Sequence, residues 1–373
     1  MSKFKYIKTL LLLLVFLTGA ASCQKDNIVT IDSADETDTD INNIVFTRHV
    51  TVTFTSDGNA VVSGTNDDFT VTVEGNQVTL SYTGDEHVMY ELTGTAENGC
   101  FKLFSGKKQG VTLNGLNLTN ASGYAINLQA GRTFVVLSDS NRLSGGLFSE
   151  GSLIFSGSGS LCVTNTGEGI EAKGTMTINS GEIYSYSSTD DAINSGGDFT
   201  ISGGYVYGQS AGNDGLDANG NCYIKGGVVY AIGARSPEVA IDANTEGGFK
   251  LYVEGGTIIA IGGLENNASL TQNCYQASSW SQNTWYALTI DSMVYAFKTP
   301  ASGGTPLVVS GASSPTLSSN ITVNDGTIRF ESLFYENATI SGGTEVSLSS
   351  YTGGSGGEPG GGGNPGGPGG GPH

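Results

Sequence analysis

Acidic and amide side chains recur at near-regular spacing in the middle of the chain. One row contains Glu168, Asp191 and Asp214, and a second, three residues further on, contains Glu171, Asn194, Asp217 and Asp242. Asp190 and Asn213 stand beside the first row. If successive members lie on neighbouring strands, about 4.8 Å apart, their negative charges repel one another and a bound cation relieves the repulsion. Flexible oxygen ligands near glycine-rich turns suit Ca²⁺ better than Zn²⁺, so these nine residues are predicted calcium ligands.

The same residue types have a second interpretation, which the spacing leaves open. Asp and Asn are common turn residues, and their side chains accept hydrogen bonds from nearby backbone N–H groups. Asn194 interrupts the second row, which favours this structural role. The adjacent pair Asp190 and Asp191 favours a metal, because it places two acids beside a third on the neighbouring repeat.

The elements that must position these rows come from an internal repeat. Four segments align on the apolar residues Ile170, Ile193, Leu216 and Ile241, which are 23, 23 and 25 positions apart. Backward steps of 22 positions reach Phe148 and Ile126. Two further apolar columns follow in the same order: Ile178, Ile201, Ile224 and Val253, then Ile183, Val206, Val229 and Ile258. Three short strands per repeat, separated by Gly or Asn/Asp turns, predict an all-β parallel β-helix with coils of 22–25 residues.

The flanking segments are predicted to cap the two ends of this coil. Residues 51–55, 69–73 and 77–82 alternate between apolar and polar types, which is typical of hairpins or first coils. The 23-residue register is lost after residue 264, where aromatic residues become frequent. We therefore predict N-terminal β strands at 47–109, repeats at 110–263, and a C-terminal β cap or small β module at 264–350.

The chain ends are predicted to lie outside this folded body. Three lysines, an apolar run at 10–17 and small residues before Cys23 indicate a lipoprotein signal peptide at 1–22, with lipid attached to Cys23. Residues 23–46 are an acidic tether, and 351–373 form a disordered tail rich in Gly and Pro. We expect an exported lipoprotein at the outer membrane, on the cell surface of a Gram-negative bacterium; an ordinary secretory signal also predicts export.

Composition excludes several functional classes. The 16 Lys and Arg residues against 35 Asp and Glu give a formal charge of -19, which repels nucleic acid and anionic lipid. Three scattered histidines, His49, His87 and His373, are too few for a histidine-based zinc site or a catalytic triad. Cations are the partners that this charge favours.

A tyrosine column is predicted on the outer face of one sheet. Tyr184, Tyr207 and Tyr230 align, and Tyr186 and Tyr205 flank them. Such rings could bind the apolar faces of sugar rings. A stabilising aromatic ladder, or a face covered by the terminal segments, explains the column equally well.

Four cysteines remain after Cys23: Cys100, Cys162, Cys222 and Cys274. In an exported protein they could form two disulfides in any of three connectivities. Cys222 aligns with interior residues and Cys162 with the outward tyrosine column, so these two are not expected to pair.

Several segments together resemble the bacterial carbohydrate-binding domain family of β-helix proteins. They are GVTLNGLNL at 110–118, GYAI at 123–126, DDAI at 190–193, TISGG at 200–204 and DGLDA at 214–218. The resemblance covers roughly residues 47–350 and implies a right-handed, pectate-lyase-like β-helix that binds Ca²⁺, cellulose and acidic plant polysaccharides such as polygalacturonate. Glu168, Ala192 and Val239 depart from the usual D-D-G-I pattern, which implies fewer bound ions than in a typical member.

Three functions follow from the repeat and this resemblance. The first is a surface-anchored, non-catalytic, calcium-dependent polysaccharide-binding protein. The second is a calcium-dependent polysaccharide lyase, with Lys173 as the base that removes the C5 proton. Only six Lys and Arg residues occur between residues 120 and 262, which is few for the cationic substrate clamp of a lyase. The third is an adhesin or spacer in which the coil has a structural role only.

Overall fold

The structure, a computed structural model, describes residues 38–353. Nearly all regular structure in this range is β-strand, and the two short 3-10 helices cover Ile41–Asn43 and Phe330–Ser332. In residues 38–353, no helix has the length and apolar character needed to span a membrane. The predicted signal peptide, the lipid site at Cys23 and nearly all of the predicted tail lie outside the described residues.

Three stacks of short strands form a β-solenoid, in which each coil contributes one strand to each stack. The first sheet comprises Phe69–Glu74, Gln77–Tyr82, Cys100–Ser105, Ile126–Ala130, Leu147–Ser149, Ile170–Ala172, Ile193–Ser195 and Leu216–Ala218. All its pairings are parallel except the hairpin between its first two strands. The predicted all-β parallel coil is therefore confirmed.

The second and third sheets share the strand Gln109–Thr119. The second comprises Arg48–Phe54, Val61–Ser63, Val88–Glu97, Gln109–Thr119, Thr133–Ser138, Leu153–Gly157, Met176–Ile178, Phe199–Ile201, Cys222–Ile224, Leu251–Val253 and Ser269–Leu270. The third comprises Ser140–Ser144, Ser160–Asn165, Glu182–Ser187, Tyr205–Ser210, Val228–Ile232 and Thr257–Ile261. Three antiparallel strands extend it: Leu307–Ser310, Cys274–Ala277 and Ser349–Tyr351.

The interior contains the apolar columns that the repeat predicts. Ile178, Ile201 and Ile224 pair in successive coils, and each is fully buried. Small inward-facing residues allow parts of a coil to approach closely: a Cβ added at Gly208, within the strand Tyr205–Ser210, would lie 2.5 Å from the carbonyl oxygen of Gly215. Stacking thus buries a continuous apolar column that no single coil could bury alone.

The prediction that Phe148 lies in the interior column with Ile126 and Ile170 is wrong. Leu147 pairs with both Ile126 and Ile170, whereas Phe148 pairs with Glu171 on the outer face. The two coils are 21 and 23 residues long, so equal steps of 22 miss the interior residue by one position. A slip of one residue moves a strand side chain to the opposite face.

A four-stranded antiparallel module follows the coil and covers the outside of the third sheet. Its strands are Trp285–Ile290, Met293–Lys298, Thr316–Arg329 and Phe334–Val346. Apolar module residues such as Phe297, Phe330 and Phe334 form one buried cluster with Tyr207 and Tyr230 of the coil. The module therefore packs against the side of the solenoid through an aromatic core.

Candidate metal centre

Strand pairing brings the two predicted acidic rows together on one edge of the first sheet. Ile170 pairs with Ile193 and Ile193 with Leu216, so the residues two positions before them lie on successive coils. These residues are Glu168, Asp191 and Asp214. Glu171, Asn194 and Asp217 are paired directly, and a bridge between Leu216 and Ile241 places Asp242 on the next coil. The predicted adjacency of the acids is confirmed.

Six of the nine predicted ligands form two compact clusters. In the first, one carboxylate oxygen each from Glu168, Asp190 and Asp191 lies within 4.8 Å of the others. In the second, Asp214, Asp217 and Asp242 meet the same limit. Each cluster offers only carboxylate oxygens, the donor type that hard cations such as Ca²⁺ prefer.

The two predicted amide ligands act differently from expectation. Asn194 donates from Nδ2 to Glu168 Oε1 at 3.0 Å and to Asp191 Oδ2 at 3.2 Å. Asn213 donates from Nδ2 to Asp190 Oδ1 at 3.4 Å. Both amides therefore present N–H groups to the acids and hold them by hydrogen bonds.

Glu171 is satisfied by the protein itself and joins neither cluster. Tyr124 donates its hydroxyl to Glu171 Oε2 at 2.8 Å, and Lys173 Nζ forms an ion pair with Glu171 Oε1. The Tyr124 ring stacks on Phe148 with centroids 5.1 Å apart, so an aromatic pair adjoins Glu171. Sequence reasoning missed this pair, although Tyr124 precedes Ile126 by the same two positions that separate Glu168 from Ile170.

Lys173 does not have the character of a proton-abstracting base. Its hydrogen bond with Glu171 raises the pKa of the Lys173 ammonium, which keeps the group protonated. A general base must be unprotonated near the working pH. The geometry therefore makes Lys173 the ion-pair partner of Glu171.

Burial makes the charged forms of the clustered acids costly. It raises the pKa of Glu168 to about 9, with added repulsion from Asp191 and Asp190. Burial is also the main reason why the pKa of Asp191 and that of Asp214 rise to about 8. Glu168 Oε2 is buried without a hydrogen-bond partner, although an unpaired buried carboxylate oxygen is expensive. These residues therefore fit a bound cation.

The second row is longer than the sequence analysis predicted. A bridge pairs Ile241 with Leu264, which places Glu265 next to Asp242. Burial and a hydrogen bond with Glu265 raise the pKa of Asp242. Glu265 follows Asp242 by 23 positions, the period of the repeat, and this spacing could have identified it.

The predicted tyrosine column exists, but the structure covers its central rings. Tyr184, Tyr207 and Tyr230 pair across successive coils, with the Tyr184 and Tyr207 rings stacked face to face at 4.6 Å. Tyr207 is 1% exposed and Tyr230 is fully buried, and Tyr230 donates its hydroxyl to the carbonyl oxygen of Lys298 in the module. The expected sugar platform is therefore wrong at Tyr207 and Tyr230, because the C-terminal module occupies that face.

The flanking tyrosines are only partly covered. Tyr186 and Tyr205 are half-buried, as is Tyr184. Tyr205 donates its hydroxyl to Glu336 at 2.7 Å, and the Arg329 guanidinium lies over its ring, 4.0 Å from the centroid. Tyr205 therefore lies at the junction between the coil and the module.

The chain is similar to a known protein family and to a solved structure. A solved polysaccharide lyase-like protein from C. thermocellum, in a gadolinium derivative, has 19% sequence identity and a TM-score of 0.43; the match covers 59% of this chain and 96% of that one. No curated protein matches the chain. The family described as carbohydrate-binding domain-containing protein matches residues 74–333, which is more than half of the 373 residues. The chain therefore belongs to the carbohydrate-binding domain-containing family.

Proposed function

We propose that the protein is a non-catalytic polysaccharide-binding protein that uses Ca²⁺ in its acidic clusters. The observation that carries the proposal is the stacking of two partly buried carboxylate clusters on one edge of the coil, one of which contains the unpaired oxygen of Glu168. Membership in a carbohydrate-binding family supports the polysaccharide as ligand.

Calcium has a specific physical role in this proposal. Glu168, Asp190 and Asp191 would hold one ion, and Asp214, Asp217 and Asp242 would hold a second. A bound Ca²⁺ supplies positive charge and open coordination positions for oxygen atoms of a glycan. A protein with a formal charge of -19 repels polyuronates, so an acidic glycan requires a bridging cation at this edge.

We propose that the protein is non-catalytic because Lys173 is protonated and paired with Glu171. The ion pair with Glu171 keeps the lysine protonated and directs it toward a protein carboxylate. A lyase needs an unprotonated group beside the metal-bound uronate. The half-buried ring of Tyr124, which stacks on the buried Phe148, instead offers a contact surface for sugar beside Glu171.

A retention assay tests this proposal. The full-length protein is passed over immobilised polygalacturonate in calcium and in EDTA, while absorbance at 235 nm monitors unsaturated product. We expect retention in calcium, release in EDTA and no product. Product that disappears in Lys173→Ala would establish the lyase instead, and no retention in either condition would favour a structural spacer.

We further propose that lipid on Cys23 anchors the protein at the outer membrane, facing outward. The sequence before Cys23 supports this, as does the acidic stretch after it. Cys23→Ser should release the protein from the membrane fraction, and protease treatment of intact cells tests whether the coil is exposed. Unchanged membrane association in Cys23→Ser would contradict the anchor.

A further inference from the structure

A second recessed surface lies away from the acidic clusters, between the third sheet and the C-terminal module. It is a cleft of about 600 Å³. Its floor includes Ser160, Glu182 and Tyr205, which pair with one another in three successive coils. Asp139, just before the strand that pairs with Ser160–Asn165, adds a fourth coil, and Arg329 from the module forms the wall. The volume lies within the usual range of small-molecule sites, about 300–1,000 Å³.

The shape of the cleft favours an extended ligand. Four successive coils contribute to the floor, so it runs along the solenoid for about 14 Å, which is three steps of roughly 4.8 Å. Turn glycines lie between these residues and keep the floor low: a Cβ at Gly204 would lie 2.6 Å from the carbonyl oxygen of Gly181. A linear chain can therefore lie across the coils close to the backbone.

The wall of the cleft combines an aromatic ring with fixed polar groups. Arg329 lies over the ring of Tyr205 and forms ion pairs with Glu182 at 3.4 Å and Glu336 at 3.1 Å. These ion pairs hold the guanidinium in one orientation. The Nε atom of Arg329 is buried and has no hydrogen-bond partner. A ligand in the cleft therefore contacts Tyr205, Glu182 and the accessible part of Arg329, which line it.

The charges of the cleft exclude an anionic ligand. Asp139 and Glu182 line the cleft together with Arg329. Glu336, which is outside the lining but forms an ion pair with Arg329, brings the formal count to three negative charges against one positive charge. A uronate or a phosphate would be repelled. Serine hydroxyls, carboxylates and a guanidinium can donate to and accept from neighbouring sugar hydroxyls, while the Tyr205 ring suits the C–H face of a pyranose.

We propose that this cleft is a metal-independent subsite for a linear neutral glycan. The inference extends the proposed polysaccharide binding, because it adds a second site with a different ligand preference. Acidic sugars bind through calcium at the carboxylate clusters, and neutral sugars bind in the cleft by direct hydrogen bonds.

Titration calorimetry of the full-length protein in EDTA tests the cleft, with cellohexaose, xylohexaose and maltohexaose as separate probes. We expect at least one hexasaccharide to bind with an affinity that added calcium leaves unchanged. Ser158→Tyr, at an exposed cleft-lining residue, should weaken that binding at least tenfold by filling the cleft. Ser144→Tyr is the matched control at an exposed serine outside the lining, and it should bind like the wild type.

A second variant examines the wall without filling the cleft. Arg329→Lys keeps the positive charge but removes the planar guanidinium that lies over the Tyr205 ring, so we expect weaker hexasaccharide binding, by several-fold, with the thermal midpoint reported alongside. The inference is overturned if no hexasaccharide binds, if EDTA abolishes the binding, or if Ser158→Tyr binds as tightly as Ser144→Tyr. Calcium-dependent retention on polygalacturonate is measured on the same variants and should not change, so failure of the cleft and failure of the metal centre give different results.

Discussion

The individual carboxylates of the two clusters are in an arrangement that a folded protein does not tolerate without compensation. Glu168, Asp191 and Asp214 are stacked on successive coils and largely removed from water. The protein supplies part of the compensation through Asn194 and through a backbone bond from Asp214 N to Asp191 Oδ1, 2.9 Å long. Protonation or a bound cation must supply the rest.

Asp214→Asn separates the metal role of this residue from its structural role. Asp214 Oδ1 accepts a hydrogen bond from Val239 N at 2.6 Å, and the asparagine oxygen can keep this bond. In EDTA at pH 8 we expect the free energy of unfolding to rise by about 1 kcal/mol, because a buried charge is removed. In excess calcium the variant should lose stabilisation that reaches about 2.7 kcal/mol at a ligand concentration of 100 Kd.

Asp198→Asn is the control for this measurement. Asp198 Oδ1 accepts a bond from Asn221 N at 2.8 Å, so it makes the same kind of contact between coils. It belongs to neither acid cluster. Urea unfolding of both variants with and without calcium should show an altered calcium response in Asp214→Asn alone; equal responses would remove the metal interpretation.

The raised pKa values also predict how stability depends on pH. Unfolded carboxyl groups have pKa values of about 3.9 to 4.3, whereas burial raises the pKa of Glu168 to about 9 and those of Asp191 and Asp214 to about 8. Between these limits the folded protein binds more protons than the unfolded chain, so its stability falls as pH rises.

Thermal unfolding in EDTA should therefore give a midpoint that decreases from pH 5 to pH 9. Saturating calcium should flatten the curve, because the ion takes the place of the protons. A midpoint in EDTA that increases over this range would show that the acids are ionised and stabilised without metal.

At the scale of the strands, register decides which side chains reach the interior. The repeat identified the columns through Ile178 and Ile183 correctly because apolar and small residues recur there at a constant step. It misplaced Phe148 because two neighbouring coils differ in length by two residues. An aromatic residue satisfies an apolar pattern on either face, so only the pairing distinguishes them.

Polar substitutions at two adjacent positions test this register. Leu147 is fully buried in the interior, and Leu147→Gln should destabilise the protein by about 4 kcal/mol or more. Phe148 lies in a row with Asn127 and Glu171, where a polar side chain is accommodated, so Phe148→Gln should cost roughly 1–2 kcal/mol. Chemical unfolding that ranked the two variants in the opposite order would support the uniform spacing of 22 residues, which places Phe148 in the interior.

The covered tyrosine column leads to a prediction about the C-terminal module. Tyr230→Phe removes the hydrogen bond to the carbonyl oxygen of Lys298, and we expect a loss of about 1 kcal/mol. Retention on polysaccharide should not change, because the ring is fully buried. Tyr223→Phe, whose ring stacks on Tyr252 on the second sheet, is the control and should change stability less. A large loss of retention in Tyr230→Phe alone would show that the tyrosine column belongs to the polysaccharide-binding surface.

At the scale of the whole molecule, the sequence predicts the coil better than the surfaces that the coil shares with other segments. Repeat spacing places Glu168 beside Asp191 because successive coils pair in register. It does not reveal that Phe330, 123 positions beyond Tyr207, packs on that ring, because the contact follows no period. The cleft at Arg329 was missed for the same reason.

The net charge of -19 links the local site to the behaviour of the whole protein. A strongly acidic molecule attracts divalent cations, and the proposed function requires that binding of an acidic polymer depend on them. The response of polymer binding to salt distinguishes calcium bridging from direct contact. Monovalent salt alone would screen the repulsion between protein and polymer and so strengthen a direct contact.

Calorimetric titration of the calcium-free protein with CaCl₂ at pH 7.5, in two buffers of different ionisation enthalpy, tests the central claim most directly. We predict saturable binding that releases protons, because Glu168, Asp191 and Asp214 are protonated before the ion enters. The double variant Asp191→Asn with Asp214→Asn should lose this binding. Binding that is absent in the wild type, or that persists unchanged in the double variant, would contradict the account.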